Sequence, residues 1–158
     1  MHYKDGGLIM PVAQIANREV ISVPSSSSAL QAAKMMRQHH VGDIVITDDS
    51  TGRPVPIGIV TDRDLVLEIL AQEVDPARVT VGDIMTTNLL KIPLGEGISR
   101  TIQLMRARGT RRAPVVDKDG SLAGIVCVDD LIELIADELG ELANLVAREL
   151  KVEEKARQ

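Results

Sequence analysis

The chain has 158 residues, enough for one domain or two small ones, and its 44% hydrophobic and 26% charged residues give a globular balance. It contains no Phe or Trp and a single tyrosine, Tyr3, so its core must be aliphatic. Stacking of single-stranded nucleic acid on exposed aromatic rings is therefore excluded. The formal net charge of −5 argues against a basic duplex-binding surface, and we expect no nucleic-acid partner.

The cysteine count and the apolar runs indicate the compartment. The single cysteine, Cys127, cannot form an internal disulfide, which is typical of a reducing environment. No apolar run approaches the roughly 20 residues that span a bilayer. The apolar stretch at the N-terminus is too short for a signal peptide. We expect a soluble, cytoplasmic protein with no membrane partner.

The chain is a tandem repeat, since residues 12–70 align with residues 81–137. The alignment holds at an offset of 69 until a longer turn in the first copy changes the offset to 66, where GIV at 58–60 matches GIV at 124–126. So many matches with one small gap predict two copies of the same structural motif. The remaining segments are an N-terminal arm at 1–11, a linker at 71–80 and a C-terminal helical extension at 138–158.

The first half of each copy reads as a strand followed by a helix. REVISVP and NLLKIP are short apolar or alternating runs that stop at proline, which predicts strands. In the first copy Ala29, Ala33, Met36 and His40 follow at steps of 4, 3 and 4, which predicts one face of a helix. Ser28 is the expected N-cap of that helix. The matching positions of the second copy are Ile98, Ile102, Met105 and Gly109.

The second half of each copy reads as two strands and a second helix. DIVITDD and IGIVT in the first copy, with APVVDKDG and AGIVC in the second, are apolar runs that predict strands buried on both faces. The second helices are expected to begin near Thr61 and Asp129. The chain is therefore predicted to be an α/β (α+β) protein of two strand–helix–strand–strand–helix motifs related by a pseudo-twofold axis.

The last predicted helix continues far beyond the repeat. From Leu131 to Leu150, large apolar residues recur at steps of three and four, which forms an amphipathic stripe. A lone helix with such a stripe must bury it somewhere. Two alternatives stay open, packing on its own domain or packing on a partner subunit. Residues 153–158 are expected to fray.

The two copies contain four recognisable segments in matching order, VGDIMTTN at 81–88, RRAPVVDKDG at 111–120, GIVTDRDL at 58–65 and GIVCVDDL at 124–131. With these segments the chain resembles the CBS domain family, named for cystathionine β-synthase. That resemblance implies two motifs paired as one compact Bateman module, with two clefts between the copies that bind adenosine nucleotides. It also implies a stand-alone member, without an attached enzyme or channel, and such members generally form dimers of modules.

The first cleft is expected around the segment Thr61 to Asp64, where a buried strand turns into a helix. A helix start offers free backbone N–H groups and favours phosphate, and a hydroxyl at Thr61 can donate to a phosphate oxygen. The carboxylate of Asp64 can accept from both ribose hydroxyls. The alternative is a capping box in which Thr61 and Asp64 merely satisfy backbone donors. The resemblance favours ligand binding, with Arg63 either solvated or bound to phosphate.

The resemblance implies that the opposite wall of the first cleft comes from the second copy. Pro114 marks the start of a strand and leaves nearby backbone free to read an adenine edge. The guanidinium of Arg112 is suited to binding phosphate through two parallel hydrogen bonds. Cations such as Arg106 and Arg108 also suit the negative end of a helix. The expected residues of this wall are Met85, Thr86, Arg111, Arg112, Ala113 and Pro114.

The second cleft departs from the pattern of the first. Cys127 replaces the hydroxyl residue and is a poor donor, and Val45 replaces the proline. Asp43 stands where Arg112 stands in the other copy, so an anion is expected to be repelled. We expect this cleft to be empty, weak or specific for a less anionic ligand. Its expected residues are Asn17, Arg18, Gly42, Asp43, Ile44, Cys127 and Asp130.

The sequence favours a non-enzymatic regulatory module, since it carries no Walker loop, no dinucleotide fingerprint and no paired catalytic set. Its expected ligand is AMP, ADP or ATP, with NAD or S-adenosylmethionine as further candidates, and no cofactor is required. A homodimer and an unidentified regulated protein are the expected partners. The alternatives are a divalent-metal sensor using Asp43, Asp129 and Asp130, or a purely structural dimerisation unit. The adjacent pair His39 and His40 lacks a third metal ligand within sequence reach, unless Cys127 or His2 joins it.

Overall fold

The computed structural model describes residues 10–156, so Tyr3, His2 and the other residues of the predicted arm before Met10 lie outside the described part. The predicted strand–helix–strand–strand–helix order is confirmed in both copies. The first copy contains β1 (Ser22–Pro24), α1 (Ala29–His39), β2 (Asp43–Asp48), β3 (Val55–Thr61) and α2 (Asp62–Leu65), which continues as a π-helical turn over Val66–Leu70. The second contains α3 (Val81–Ile84), β4 (Ile92–Pro93), α4 (Ile98–Arg108), β5 (Arg112–Val116), β6 (Leu122–Cys127) and α5 (Val128–Ala156).

Each copy builds its own three-stranded sheet with the same topology. In the first sheet β2 is central, parallel to β1 and antiparallel to β3. In the second sheet β5 is central, parallel to β4 and antiparallel to β6. The first strand of each copy is shorter than predicted, three and two residues, because only the residues next to Pro24 and Pro93 pair with the central strand.

The two copies exchange their N-terminal segments. Val12, which precedes the first sheet in sequence, is fully buried in the core of the second copy with Ile92 and Val126. Val81, from the start of the second copy, is fully buried against Ile44 in the core of the first. Because each sheet packs on a segment of the other copy, the clefts between the copies are built from both. A third cluster, Val45, Ile59 and Ile125, joins the two sheets.

The buried face of α1 differs from the predicted one by one residue. Ala32 is fully buried and Ala33 is exposed, whereas the spacing predicted Ala33 at the core. Steps of three and four both stay on one helix face, so the pattern alone cannot separate these neighbours. The side chain of Ser28 accepts from the backbone N–H of Gln31 at 3.1 Å, which confirms it as the N-cap. His40 lies beyond the helix as its C-cap, with a left-handed φ of 54°.

The long C-terminal helix is confirmed as one continuous element. Leu131 is 4% exposed and belongs to the core of the second copy. From Ile135 to Lys155 every residue whose side chain is described is exposed, so this part of the helix does not pack on its own domain. The predicted fraying is not seen up to Ala156, because the helix extends to that residue. Within residues 10–156, no helix combines the length and hydropathy needed to cross a membrane.

Candidate functional site

The first cleft is a cavity of about 420 Å³ between the two copies. Five of the predicted residues line it, two from the end of β3 and the start of α2 and three from the second copy. They are Thr61, Arg63, Thr86, Arg111 and Arg112. The lining residues that sequence reasoning did not place in the cleft are Ile59, Asp62, Asn88, Leu89, Leu90, Arg108, Gly109 and Thr110.

A short backbone bridge holds the second copy against β3. The backbone N–H of Thr86 donates to the carbonyl of Ile59 at 3.0 Å, which sets Thr86 at the cavity wall. Beside this bridge, a Cβ at Gly58 would lie 2.5 Å from the Sδ of Met85. Glycine therefore leaves the space that the Met85 side chain occupies. Met85 packs against the core of the first copy and, unlike Thr86, is not one of the described residues that line the cavity.

Thr61 and Asp64 form the capping box that the sequence left as an alternative. The Asp64 carboxylate accepts from the backbone N–H and the hydroxyl of Thr61, both at 2.8 Å. The backbone N–H of Asp64 donates to the Thr61 hydroxyl at 3.2 Å. Thr61 lines the cavity, whereas Asp64 is not part of its described lining. The pair thus shapes the start of α2 and presents Thr61 at the cavity edge.

Two predicted residues of the opposite wall lie inside the sheet instead. Ala113 is fully buried in the core of the second copy, where it pairs with Val126 of β6. Pro114 is also buried and pairs with Ile125. Neither residue belongs to the described lining of the cavity. The strand begins at Arg112, so only its first residue reaches the cleft and the next two enter the core.

Arg112 connects the two clefts. Its Nε lies 3.0 Å from Oδ1 of Asp43 in an ion pair, and its side chain lines both the first cleft and the second. The expected repulsion of anions by Asp43 is thereby offset by a guanidinium. Burial raises the pKa of Asp43, an effect that Arg112 opposes and the nearby Asp62 reinforces. Because the ion pair uses Nε, the other nitrogens of the guanidinium are left to donate elsewhere.

The second cleft is smaller, with a volume of about 180 Å³. Among the predicted residues, Arg18 is exposed and does not line it, and Ile44 is fully buried in the core. Five of the predicted residues line it, namely Asn17, Gly42, Asp43, Cys127 and Asp130. The additional lining residues are Glu19, Val20, Ile21, Val41, Arg112 and Ile125.

Cys127 repeats the geometry of Thr61 with a thiol in place of the hydroxyl. Its Sγ donates to Oδ2 of Asp130 at 2.8 Å, and its backbone N–H donates to the same oxygen at 3.0 Å. Burial, followed by the hydrogen bond and negative charge of Asp130, raises the pKa of the Cys127 thiol to about 12. The thiol is therefore protonated at neutral pH.

Most residues that line the two clefts are related by the repeat offsets. Thr86 corresponds to Asn17 and Arg112 to Asp43 at an offset of 69, and Thr61 corresponds to Cys127 at 66. Among the described lining residues, the first cleft carries four arginines and one aspartate, whereas the second carries three carboxylates and only Arg112 as a cation. Arg108 was not predicted to line the first cleft. It belongs to the arginine-rich run RARGTRR at 106–112, and the number of cations in that run could have indicated its position.

The remaining candidate cations and metal ligands lie at the surface. Arg111 lines the first cleft but is 78% exposed, and its Nη2 lies 3.7 Å from Oδ1 of Asp129. His39 and His40 are exposed at the end of α1. In the described part of the chain no three His, Cys, Asp or Glu residues are grouped so that they could hold a metal ion. His2 lies outside that part.

In comparisons with known proteins, the chain matches one family model and several relatives. The family model of the CBS domain matches residues 12–71 and 81–137. The uncharacterized protein MK0525 of Methanopyrus kandleri is 34% identical over 123 residues, which cover 78% of this chain and only 61% of that relative.

Two solved structures are similar in both sequence and fold. The CBS domain pair of protein MJ0100, in complex with 5′-methylthioadenosine and S-adenosyl-L-methionine, is 27% identical with a TM-score of 0.71, covering 82% of this chain and 98% of that one. Hypoxic response protein I, with two coordinated zinc ions, is 29% identical with a TM-score of 0.68, covering 78% and 98%.

Proposed function

The chain belongs to the CBS domain family as a tandem CBS pair, and we propose that this regulatory module binds an adenosine nucleotide in its first cleft. The ligand class is AMP, ADP or ATP, and the module is not itself an enzyme. It acts as a homodimer whose ligand state is read by a protein partner.

The observation that carries the proposal is the lining of the first cleft. Arg63, Arg108, Arg111 and Arg112 surround it, and arginine binds phosphate through charge-assisted hydrogen bonds. The apolar side chains in the lining suit the faces of a base, and the cavity volume of about 420 Å³ lies in the range of small-molecule sites. The apolar lining residues are Ile59, Leu89 and Leu90, and the uncharged polar lining residues are Thr86, Asn88 and Thr110.

The relative MJ0100 supports the adenosine part of the ligand, since its CBS pair is seen with two adenosine compounds. Neither of those two compounds carries a phosphate. The four arginines of the present cleft favour a phosphorylated adenosine instead, because they share the described lining with a single carboxylate, Asp62, and the excess positive charge attracts an anion. NAD also carries phosphate and remains a candidate, and S-adenosylmethionine is the weakest of the set.

The mechanism is a population shift. The first cleft takes β3 and α2 from one copy and the loops around Thr86 and Thr110 from the other. A ligand that contacts both copies favours the arrangement that holds them together. The surface offered to a partner then differs between the free and bound states. The size of the response is limited by the difference in affinity of the ligand for the two arrangements.

A zinc-sensing module is the second candidate, because hypoxic response protein I is seen with two zinc ions. The described residues of this chain contain no group of three metal ligands, which makes zinc the weaker candidate. A purely structural pair with unused clefts is the third.

Thermal unfolding of the full chain with a ligand panel separates these candidates. The panel contains AMP, ATP, NAD, S-adenosylmethionine, magnesium and zinc. We expect AMP or ATP to raise the melting temperature in a concentration-dependent way, since a ligand that binds only the folded state stabilises it. A shift with zinc alone supports the metal sensor, and no shift with any adenosine compound at millimolar concentration contradicts the proposal.

A further inference from the structure

The ion pair of Asp43 and Arg112 lies at the boundary between the two clefts. Asp43 begins β2 and Arg112 begins β5, at corresponding positions of the two copies. Arg112 lines both clefts, whereas Asp43 belongs to the described lining of the second cleft and not of the first. With Nε and Oδ1 only 3.0 Å apart, an anion in the first cleft and the carboxylate in the second share one guanidinium.

The surroundings of Asp43 are rich in carboxylates and partly screened from water. Its side chain is 17% exposed, against 35% for Arg112. A Cβ added to Gly42 would lie 3.4 Å from Oδ2 of Asp62 and 3.9 Å from Nη2 of Arg112, so a second carboxylate approaches the same guanidinium. The described titratable groups around Asp43 are Arg112 of β5, Asp62 of α2, Cys127 of β6, Asp130 of α5 and Glu19 of the segment before β1.

A phosphate beside Arg112 changes the charge balance at Asp43. In the free protein the guanidinium offsets the negative charge of this carboxylate. A bound phosphate brings further negative charge to the same guanidinium, and like charges in a partly buried place favour the neutral form of a carboxyl group. Burial and Asp62 already raise the pKa of Asp43. The protonated group keeps an acceptor oxygen that can face Nε, so Arg112 can stay oriented.

We propose that an anionic nucleotide in the first cleft and a proton on Asp43 in the second cleft strengthen each other's binding. The inference rests on the proposed function, since it requires a phosphate beside Arg112. The proton comes from solvent and adds to a carboxylate oxygen of Asp43. Because such coupling is reciprocal, nucleotide binding takes up protons and acidification raises nucleotide affinity. The gain is present at low pH and is lost as the pH rises through the pKa of Asp43 in the bound protein.

The first test counts the protons taken up when a nucleotide binds. The full chain is titrated with AMP and with ATP by calorimetry at about pH 6, in two buffers that differ in ionisation enthalpy. The wild type should take up a larger fraction of a proton per bound nucleotide than Asp43→Asn, which keeps an acceptor oxygen but cannot ionise. Protonation of the nucleotide itself is common to both proteins and cancels in the difference. The control Asp49→Asn, at an exposed turn residue that lines neither cleft, should match the wild type.

The pH profile of the affinity separates this linkage from a merely structural role of Asp43. Between about pH 8 and about pH 6, the wild-type affinity should rise about fivefold or more relative to that of Asp43→Asn, the lower end of typical couplings between sites. A structural role lowers the affinity of the variant equally at every pH. Equal proton uptake by the two proteins overturns the inference and leaves nucleotide binding standing. No heat with either nucleotide in the wild type overturns the proposed function as well.

A second measurement needs no variant. The side-chain carboxyl carbon of Asp43 is followed by NMR in the wild type over the same pH range, with and without saturating nucleotide. Its titration midpoint should lie at higher pH when the nucleotide is bound, because the added negative charge favours the protonated form. An unchanged or lowered midpoint in the bound protein overturns the inference.

Discussion

Arg112 is the residue on which both clefts depend. Its Nε is held by Asp43 at 3.0 Å, and its side chain is 35% exposed, so the guanidinium is oriented but still reaches solvent. Asp43 thus acts on the ligand through Arg112, as a positioning residue. A phosphate in the first cleft meets a cation whose rotamer is already selected, which lowers the entropy lost on binding.

We predict that Arg112→Gln weakens AMP binding ten- to a hundredfold. A hydrogen bond to a charged group contributes about 1.5–3 kcal/mol, and each 1.4 kcal/mol is about a factor of ten in affinity. Calorimetric titration measures the effect. The matched control is Arg37→Gln, an exposed arginine at the end of α1 that lines neither cleft. Equal affinity of Arg112→Gln and wild type contradicts the role given to Arg112.

Cys127 is predicted to be an unreactive thiol at pH 8. Its pKa is raised from 9.0 to about 12, so the thiolate fraction at pH 8 falls about a thousandfold below that of an ordinary thiol. The higher nucleophilicity of a more basic thiolate recovers part of this loss, and we expect alkylation at least about tenfold slower than in the unfolded chain. The rate should rise as the pH is raised toward 12.

The matched variant for this prediction is Asp130→Asn. Asp130 raises the pKa of the thiol by its hydrogen bond and its negative charge, so removing that charge should increase the alkylation rate at pH 8. A wild-type rate as fast as in denaturant shows that the thiol is neither buried nor held by Asp130.

At the scale of elements, the bridge between β3 and Thr86 sets the shape of the first cleft. We predict that Gly58→Ala destabilises the fold by about 1–3 kcal/mol, because its Cβ would lie 2.5 Å from the Sδ of Met85 and force that side chain to move. Displacing Met85 also moves Thr86, so AMP affinity should fall with stability. Chemical denaturation and titration measure the two effects.

Gly95→Ala is the control for this substitution. Gly95 is exposed, and a Cβ there would meet no atom within 4 Å. Its stability and AMP affinity should match those of the wild type. If Gly58→Ala behaves like Gly95→Ala in both measurements, the close packing of Met85 on β3 does not shape the cleft.

The order of the elements could be predicted from sequence because two copies support each assignment. Strands end at Pro24 and Pro93, and the first helices end at matched positions, His40 and Gly109, which both adopt positive φ. The choice between Ala32 and Ala33 could not be made, since each lies three or four residues from Ala29 and from Met36, and both spacings fit one helix face. The exchange of the segments that carry Val12 and Val81 was equally hidden, because sequence order says nothing of which sheet a segment covers.

The residues of the candidate site could also be predicted from the sequence only in part. Thr61, Arg63, Thr86, Arg111 and Arg112 could be placed in the first cleft because the family resemblance names strand ends and loops. Ala113 and Pro114 do not belong to the described lining, because only Arg112, at the entry to β5, reaches the cleft, and the next two residues lie in the core between β4 and β6. The ion pair between Arg112 and Asp43 was also missed, because an alignment shows that the two positions correspond and not that they touch.

At the scale of the whole molecule, the two clefts are expected to be unequal. They are built from corresponding positions, yet the first holds about 420 Å³ with four arginines and the second about 180 Å³ with three carboxylates. The second volume is below the usual lower limit of about 300 Å³ for a small-molecule site. A phosphorylated ligand should therefore fill one site per chain, and the second cleft should stay weak or empty.

Calorimetric titration of the full chain with AMP and with ATP measures directly whether the first cleft binds a phosphorylated adenosine. We predict saturable binding of at least one of the two nucleotides, with one site per chain. The affinity should fall as salt is raised, because exposed arginines that bind phosphate are screened by ions. No heat of binding with either nucleotide up to millimolar concentration would show that the first cleft is not a nucleotide site, and two equal sites per chain would show that the two clefts do not differ.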